Sequence, residues 1–460
     1  MELAHTSQSK FSHRAGSIKE LCNISFPMML TALSGCLMLF FDRLVLAHYS
    51  ITAMNAVAIA GAACAVFQFG ATAITSIAEI FVGQYNGAGK KKLLGEPVWQ
   101  MLWFSLFLFV IFIPLAFLTG DLFLPIKYQT DGLPYFQYIM IFSPILAMNA
   151  AIASFFIGQR KVKLITFVTF FGNILNLVLG IALVFGCSSL KIPSLGTLGA
   201  AVSTISAQFM QLLILFSVFI KRDNRIQFGT AHYQFKLKRF WKSISVGLPN
   251  SLGHMVEITA WTFLICMLSR VSEEHVTLLS IGQSILLLFA FASEGLQKGI
   301  IALASNYIGA KQPWMIKRLL HSSLLIVFVI ILLLAIPLLF IPDLVVNCFV
   351  SQSLSGTKLI ELQSQAEIVL FWIWIYFIFD IVVWVFAAIL TAAGDTAFIM
   401  VMNAVNIWLF AILPIYIFVV KMHGSPTLNW KLVTIYLIAN IACFYWRYSS
   451  NKWKQLCLIT

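Results

Sequence analysis

The sequence predicts an all-α integral membrane protein: twelve transmembrane helices in two six-helix lobes, related by a pseudo-two-fold axis along the membrane normal. Three observations predict this. The chain carries more apolar surface than a water-soluble fold can hide. Its basic residues cluster between apolar runs on alternate sides. Its first half repeats in its second at a constant offset of 222 residues.

The apolar excess comes first. Hydrophobic residues make up 60% of the 460 positions and charged residues only 10%. An average soluble domain is about half apolar and a quarter charged. Mean hydropathy is +0.92. A span needs roughly 20 apolar residues, so a chain of this length holds about a dozen. Segments such as Phe104–Leu118 and Leu324–Ile341 are apolar on every side. Barrel strands would alternate instead, so the spans are helices. They are expected at 17–47, 52–85, 94–119, 134–158, 163–186, 197–220, 241–270, 275–309, 315–341, 363–392, 396–421 and 428–449.

The charge pattern supports this path. With the N-terminus placed in the cytoplasm, 22 Lys and Arg fall on the cytoplasmic side. They lie in the tail (Lys10, Arg14, Lys19), in Lys90–Lys92, in Arg160–Lys163, in Lys221–Lys242, around Lys311–Arg318 and at the C-terminus. Six fall opposite: Lys127, Lys191, Arg270, Lys358, Lys421 and Lys431. That bias predicts cytoplasmic termini, and it explains the net charge of +13 without nucleic acid. The polar first sixteen residues, with His13, are expected to be a cytoplasmic tail. The eight cysteines are scattered, and Cys36, Cys64, Cys266 and Cys348 sit inside apolar runs as small hydrophobes.

The repeat defines the halves. At the offset of 222, Pro27 falls on Pro249, Phe41 on Phe263, Ser50 on Ser272 and Ile59 on Ile281. Residues 84–90 likewise fall on 306–312, sharing Tyr-x-Gly-Ala. Six helices return the chain to its starting side, so the halves share one orientation. The expected division is 1–220 for the tail and N-lobe, 221–240 for a cytoplasmic linker, and 241–460 for the C-lobe and C-terminal tail. The aromatic, basic linker (Tyr233, Phe235, Phe240, Trp241) is expected on the inner membrane surface.

Ionisable groups inside spans are costly and mark function by default. Asp42, Glu79, Glu257, Glu294 and Asp380 qualify. Glu294 and Lys298 share a helix face at i, i+4, so an internal ion pair is expected. Glu79, near the basic loop after span 2, is expected to reach headgroups or a loop lysine. Glu257 and Asp380 have no basic residue within a turn, and Tyr376 shares a face with Asp380. A carboxylate without a cation tends to hold a proton, which it can exchange for Na⁺ or a cationic substrate. Two carboxylates and a phenol oxygen would make an oxygen-rich cation site. Asp42 lies near the outer end of span 1, where water can reach it. Pro27 and Pro249 each remove a helical hydrogen bond and are candidate kinks. Phe371, Trp372, Trp374, Tyr376, Phe377 and Phe379 load span 10 with rings that could stack on flat cations or face lipid.

Absences narrow the function. Gly87-Ala88-Gly89-Lys90 is not a phosphate loop, because position 84 is Gln and Lys91 replaces the Ser or Thr. No catalytic constellation and no nucleotide-binding domain is legible. Active transport would therefore draw on an ion gradient, and no enzyme activity or cofactor is expected.

Several motifs carry a resemblance. Phe41-Asp42-Arg43-Leu44-Val45-Leu46-Ala47-His48-Tyr49-Ser50 resembles the helix 1 motif of the NorM-like branch of the multidrug and toxic compound extrusion (MATE) family. Val82–Gly89 resembles that family's end of helix 2, and Gly172-Asn173-Ile174-Leu175-Asn176 its helix 5. Gly247-Leu248-Pro249 with Glu257 resembles helix 7. Asp380 followed by Gly394-Asp395-Thr396 resembles helix 10 and its turn. The resemblance implies alternating access and export of organic cations in exchange for Na⁺ or H⁺. It implies a C-lobe cation site at Glu257, Tyr376 and Asp380, and an N-lobe site at Asp42 and Asn176. No metal is implied beyond Na⁺ at Glu257 and Asp380. Arg43, Ala47, Gly180 and Val383 depart from the pattern, and they favour the C-lobe site. The implied setting is the cell's inner membrane, with lipid and small organic cations as partners and a monomer as the working unit. A lipid-linked precursor flippase of the same superfamily is the alternative, and a membrane receptor or enzyme a more distant one.

Overall fold

A computed structural model describes residues 15–187, 193–342, 345, 357–456 and 458–459. Lys10, His13, Arg14, Lys191 and Cys348 lie outside the described residues, as does the side chain of Lys358. Among the described residues twelve helices are long and apolar enough to cross a membrane: α1 (Ile18–Tyr49), α2 (Ile51–Gly87), α3 (Lys91–Leu118), α4 (Ile126–Gly158), α5 (Val162–Phe185), α6 (Gly196–Phe219), α7 (Leu237–Leu268), α8 (Glu273–Gly309), α9 (Trp314–Phe340), α10 (Ser364–Ala393), α11 (Thr396–Lys421) and α12 (Leu428–Ser449). No strand forms among the described residues beyond one isolated bridge residue. The expected start of α4 is corrected from 134 to Ile126. Pro134 sits inside the helix, where a lipid-embedded span tolerates it.

The helices begin and end for local reasons that the two halves share. Ser50 caps α2 by accepting from Ala53 N (3.3 Å), and its repeat mate Ser272 caps α8 by accepting from His275 N (3.4 Å). Each satisfies a backbone donor that the first turn leaves free. At the end of the bundle that carries the basic loops, α2, α4, α8 and α10 close alike. A left-handed residue follows each helix: Gly89, Arg160, Lys311 and Gly394. The next amide then reaches back five residues: Lys90 to Tyr85, Lys161 to Phe156, Gln312 to Tyr307, and Asp395 to Leu390. This return bond satisfies a terminal carbonyl.

The pseudo-two-fold is visible as reciprocal contacts. A Cβ on Gly87 would overlap the carbonyl oxygen of Asn306, and one on Gly309 would overlap that of Gln84. Each contact is the other's mate at the repeat offset, as an isologous interface requires. Gln84 Nε2 donates to Ala392 O at the end of α10 (2.9 Å), while Asn306 Nδ2 donates to Gly158 O at the end of α4 (2.8 Å). Close backbone approach through small residues is how helices associate where lipid removes the hydrophobic drive. The equivalent helices α4 and α10 are also the most enclosed, with 67% and 61% of an 18-residue apolar stretch of each buried. Large apolar side chains such as Val110, Leu118, Phe167 and Phe340 remain exposed around the outside, where lipid covers them.

Between α6 and α7 the chain forms a short helix, Arg222–Phe228. Its Phe228 packs on Phe155, with ring centroids 5.7 Å apart. Tyr233, Phe235 and Trp241 are exposed, whereas Phe240 packs among Phe104, Phe107 and Phe235.

Candidate ion and cargo site

The C-lobe lines a partly open cavity of about 60 Å³, several times the roughly 10–15 Å³ that one water occupies on this measure. Glu257 from α7 and Asp380 from α10 both line it. So do Pro249, two turns before Glu257, and Val383. Two carboxylates, one imidazole (His254) and the phenol of Tyr436 form the ionisable part of the lining, with no lysine or arginine. The space suits an ion with a few waters.

The third predicted member takes a different place. Tyr376 is buried and does not line the cavity. Its hydroxyl lies 3.4 Å from that of Tyr436 on α12, and Tyr436 is the phenol on the cavity wall. Sequence reasoning missed Tyr436. It also missed an amide chain behind Glu257. Asn403 Nδ2 on α11 donates to Glu257 Oε2 (3.5 Å), and Asn440 Nδ2 on α12 donates to Asn403 Oδ1 (2.9 Å). Asn406 Nδ2 in turn donates to Asn440 Oδ1 (2.7 Å). The signal was present: Asn403 and Asn406, like Tyr436 and Asn440, recur at helical spacing inside apolar spans. The ring contact that matters here is also unexpected. His254 stacks on Trp384, centroids 6.0 Å apart and planes at 19°. By contrast Phe377 is packed in the core, Phe371 is exposed, and Trp374 Nε1 donates to Ile331 O (3.1 Å). These rings of α10 are thus spread over the core, the α9 contact and the exposed surface.

Two ion-pair expectations are corrected. Lys298 does not pair with Glu294 on its own helix. Its Nζ reaches Glu79 Oε1 across the interface between the halves at 3.2 Å. Glu79 is almost fully buried and pairs with Lys298, in place of the expected headgroup or loop lysine. Glu294 is exposed on α8. Among the described residues no ion pair involves Asp42, Glu257, Glu294 or Asp380.

The N-lobe pair is looser. Pro27 O accepts from Thr166 Oγ1 (2.9 Å), and Ser34 Oγ accepts from Asn173 Nδ2 (2.6 Å). Both contacts join residues 139 apart, so α1 and α5 run parallel. In that register Asn176 stands opposite Leu37 and Asp42 opposite Ile181. The two groups are then about five residues apart along the axes, roughly 7.5 Å. Asn176 Nδ2 donates to Thr204 Oγ1 of α6 (3.1 Å). Both predicted prolines lie within their helices, Pro27 in α1 and Pro249 in α7.

A family model described as MatE matches residues 27–182 and 249–417. The two matched segments open on the repeated prolines. The chain is 24% identical over 280 residues to a probable multidrug resistance protein NorM of Neisseria meningitidis serogroup B, covering 58% of this chain and 60% of that protein. It is 25% identical over 297 residues to a probable NorM of Thermotoga maritima, 63% of each chain. The matches therefore span about three fifths of the length of these curated relatives. A crystal structure of MATE in the straight conformation has a TM-score of 0.83 at 18% identity, over 96% of this chain and 98% of that one.

Proposed function

The chain belongs to the MatE family, and from that premise we propose that it is a cation-coupled antiporter that exports organic, mostly cationic, drugs and toxic compounds by alternating access. The driving ion is Na⁺ or H⁺. The reading puts a monomer in the cell's inner membrane with both termini cytoplasmic, in keeping with the 22-to-6 bias of basic residues.

One observation carries the reading: two carboxylates share a cavity that holds no lysine or arginine. An ionised carboxylate away from water is costly unless a cation accompanies it. Release of one cation therefore has to be matched by arrival of another, whether proton, Na⁺ or cargo. That competition is the chemical basis of exchange. Glu257 and Asp380 hold the driving cation, and the Tyr436 hydroxyl on the same wall adds a neutral oxygen. Asp42 on α1 serves the N-lobe, with Asn176 deeper along α5. Pro27 and Pro249 leave backbone carbonyls without their helical donors, so α1 and α7 bend there as the lobes rock.

A flippase for lipid-linked precursors would need permanently charged basic groups for phosphate, and the cavity lining has no lysine or arginine. The test is efflux of ethidium from proteoliposomes under imposed Na⁺ or H⁺ gradients. Gradient-driven efflux in the wild type, lost in Asp380→Asn, is the expected result. Efflux unchanged in the variant contradicts the C-lobe site, and no efflux under either gradient favours the flippase.

A further inference from the structure

We infer that Asn440 and Tyr436 of α12 are positioning residues for the driving cation: one face of this helix holds both halves of the C-lobe site in place. The inference rests on the antiporter reading above and adds a helix that bears no carboxylate.

The geometry is a fork. Tyr436 and Asn440 are four residues apart, so they project from one face of α12. Toward α10, the Tyr436 hydroxyl meets that of Tyr376 at 3.4 Å, one turn before Asp380. Toward α11 and α7, Asn440 holds Asn403 (2.9 Å), and Asn403 reaches Glu257 (3.5 Å). The orientation of the Asn440 amide is fixed from both sides, because its nitrogen donates to Asn403 while its oxygen accepts from Asn406 (2.7 Å). Asn403 is thereby left with its NH₂ facing the carboxylate. An amide that donates to Glu257 stabilises an oxygen whose charge the cation must match.

Packing alone does not explain these residues. Asn440 is 0% exposed and Tyr436 2% exposed inside an apolar span. Burying polar groups there is unfavourable unless every one is bonded. Leucine would fill the Asn440 position without that requirement. Outer partners of a metal ligand fix its orientation, and removing one typically costs about 10–100-fold in affinity. The same logic applies to a transported cation.

The test is ethidium efflux from proteoliposomes, measured against the concentration of the driving cation and, separately, of ethidium. Asn440→Leu and Tyr436→Phe are each expected to raise the half-saturating driving-cation concentration about tenfold, with no matching rise in the KM for ethidium. Tyr436→Phe keeps the ring and removes one hydroxyl, so it preserves the packing even if Asn440→Leu does not fold. A merely structural role would lower thermal stability without moving cation dependence. Wild-type cation dependence in the folded variants overturns the inference, as does an equal shift in the ethidium KM. Glu257→Gln in the same vesicles separates the two readings. If it loses cation dependence while the α12 variants keep theirs, only the α12 inference falls. If it too retains cation dependence, both fall.

Discussion

The basic end of the bundle and the C-lobe cavity treat the same residue type in opposite ways. At the basic end each buried carboxylate has a cation. Glu20 pairs with Arg160 (2.7 Å), Glu79 with Lys298 (3.2 Å), Asp395 with Arg447 (2.6 Å), and Glu96 with Lys236 (3.1 Å). Glu20 also accepts from Tyr307 of α8 (2.6 Å), which ties the first half of the chain to the second. In the cavity, Glu257 and Asp380 have no such partner among the described residues: Glu257 accepts from the neutral Asn403 amide, and Asp380 is hydrogen-bonded to Trp384. A carboxylate with a resident cation is a fixture, and one without must borrow its cation. The first kind fastens the fold and, through Glu79 and Lys298, the two halves, and the second is suited to exchange.

The largest expected effect breaks that contrast at the cavity. Glu257→Gln combined with Asp380→Asn should reduce gradient-driven efflux at least a hundredfold while leaving thermal stability unchanged or raised, since no pair is broken. Paired measurements of transport and unfolding check this. The converse applies at the interface between the halves. Lys298→Met leaves Glu79 buried without its cation and should destabilise the protein by about 3 kcal/mol. Glu79→Leu with Lys298→Met should restore much of that, and reversible unfolding of the single and double variants decides it. Next comes the close contact of the halves. Gly309→Ala places a methyl against the Gln84 backbone, and its mate Gly87→Ala one against Asn306. Each should cost about 1–3 kcal/mol, and the two costs should be similar if the pseudo-two-fold is the organising symmetry. The smallest effects are expected at the caps. Ser50→Ala and Ser272→Ala should each cost about 1 kcal/mol, again alike.

The spans, the repeat and the two carboxylates of the C-lobe were legible in the sequence, because lipid imposes long apolar runs on any spanning helix and makes each charge within them conspicuous. Partners across helices were not. Spacing correctly put Glu294 and Lys298 on one face, yet the crossing of α8 with α2 gave Lys298 to Glu79. Tyr376 was chosen for its nearness to Asp380 along the chain, while Tyr436, sixty residues on, is the phenol that reaches the cavity. The roles of Asn403 and Asn440 depend on α11 and α12 lying side by side, which spacing along the chain does not show. A sequence shows which face of a helix a residue occupies, and only packing decides what that face meets.

The central claim is that the C-lobe carboxylates hold a cation that cargo displaces. The direct measurement is ion release from purified protein in weakly buffered solution on adding saturating ethidium, read with a pH indicator and a Na⁺ electrode. Release of protons or Na⁺ by the wild type, absent in Glu257→Gln/Asp380→Asn, is the predicted result. No release, or the same release from the double variant, would contradict it.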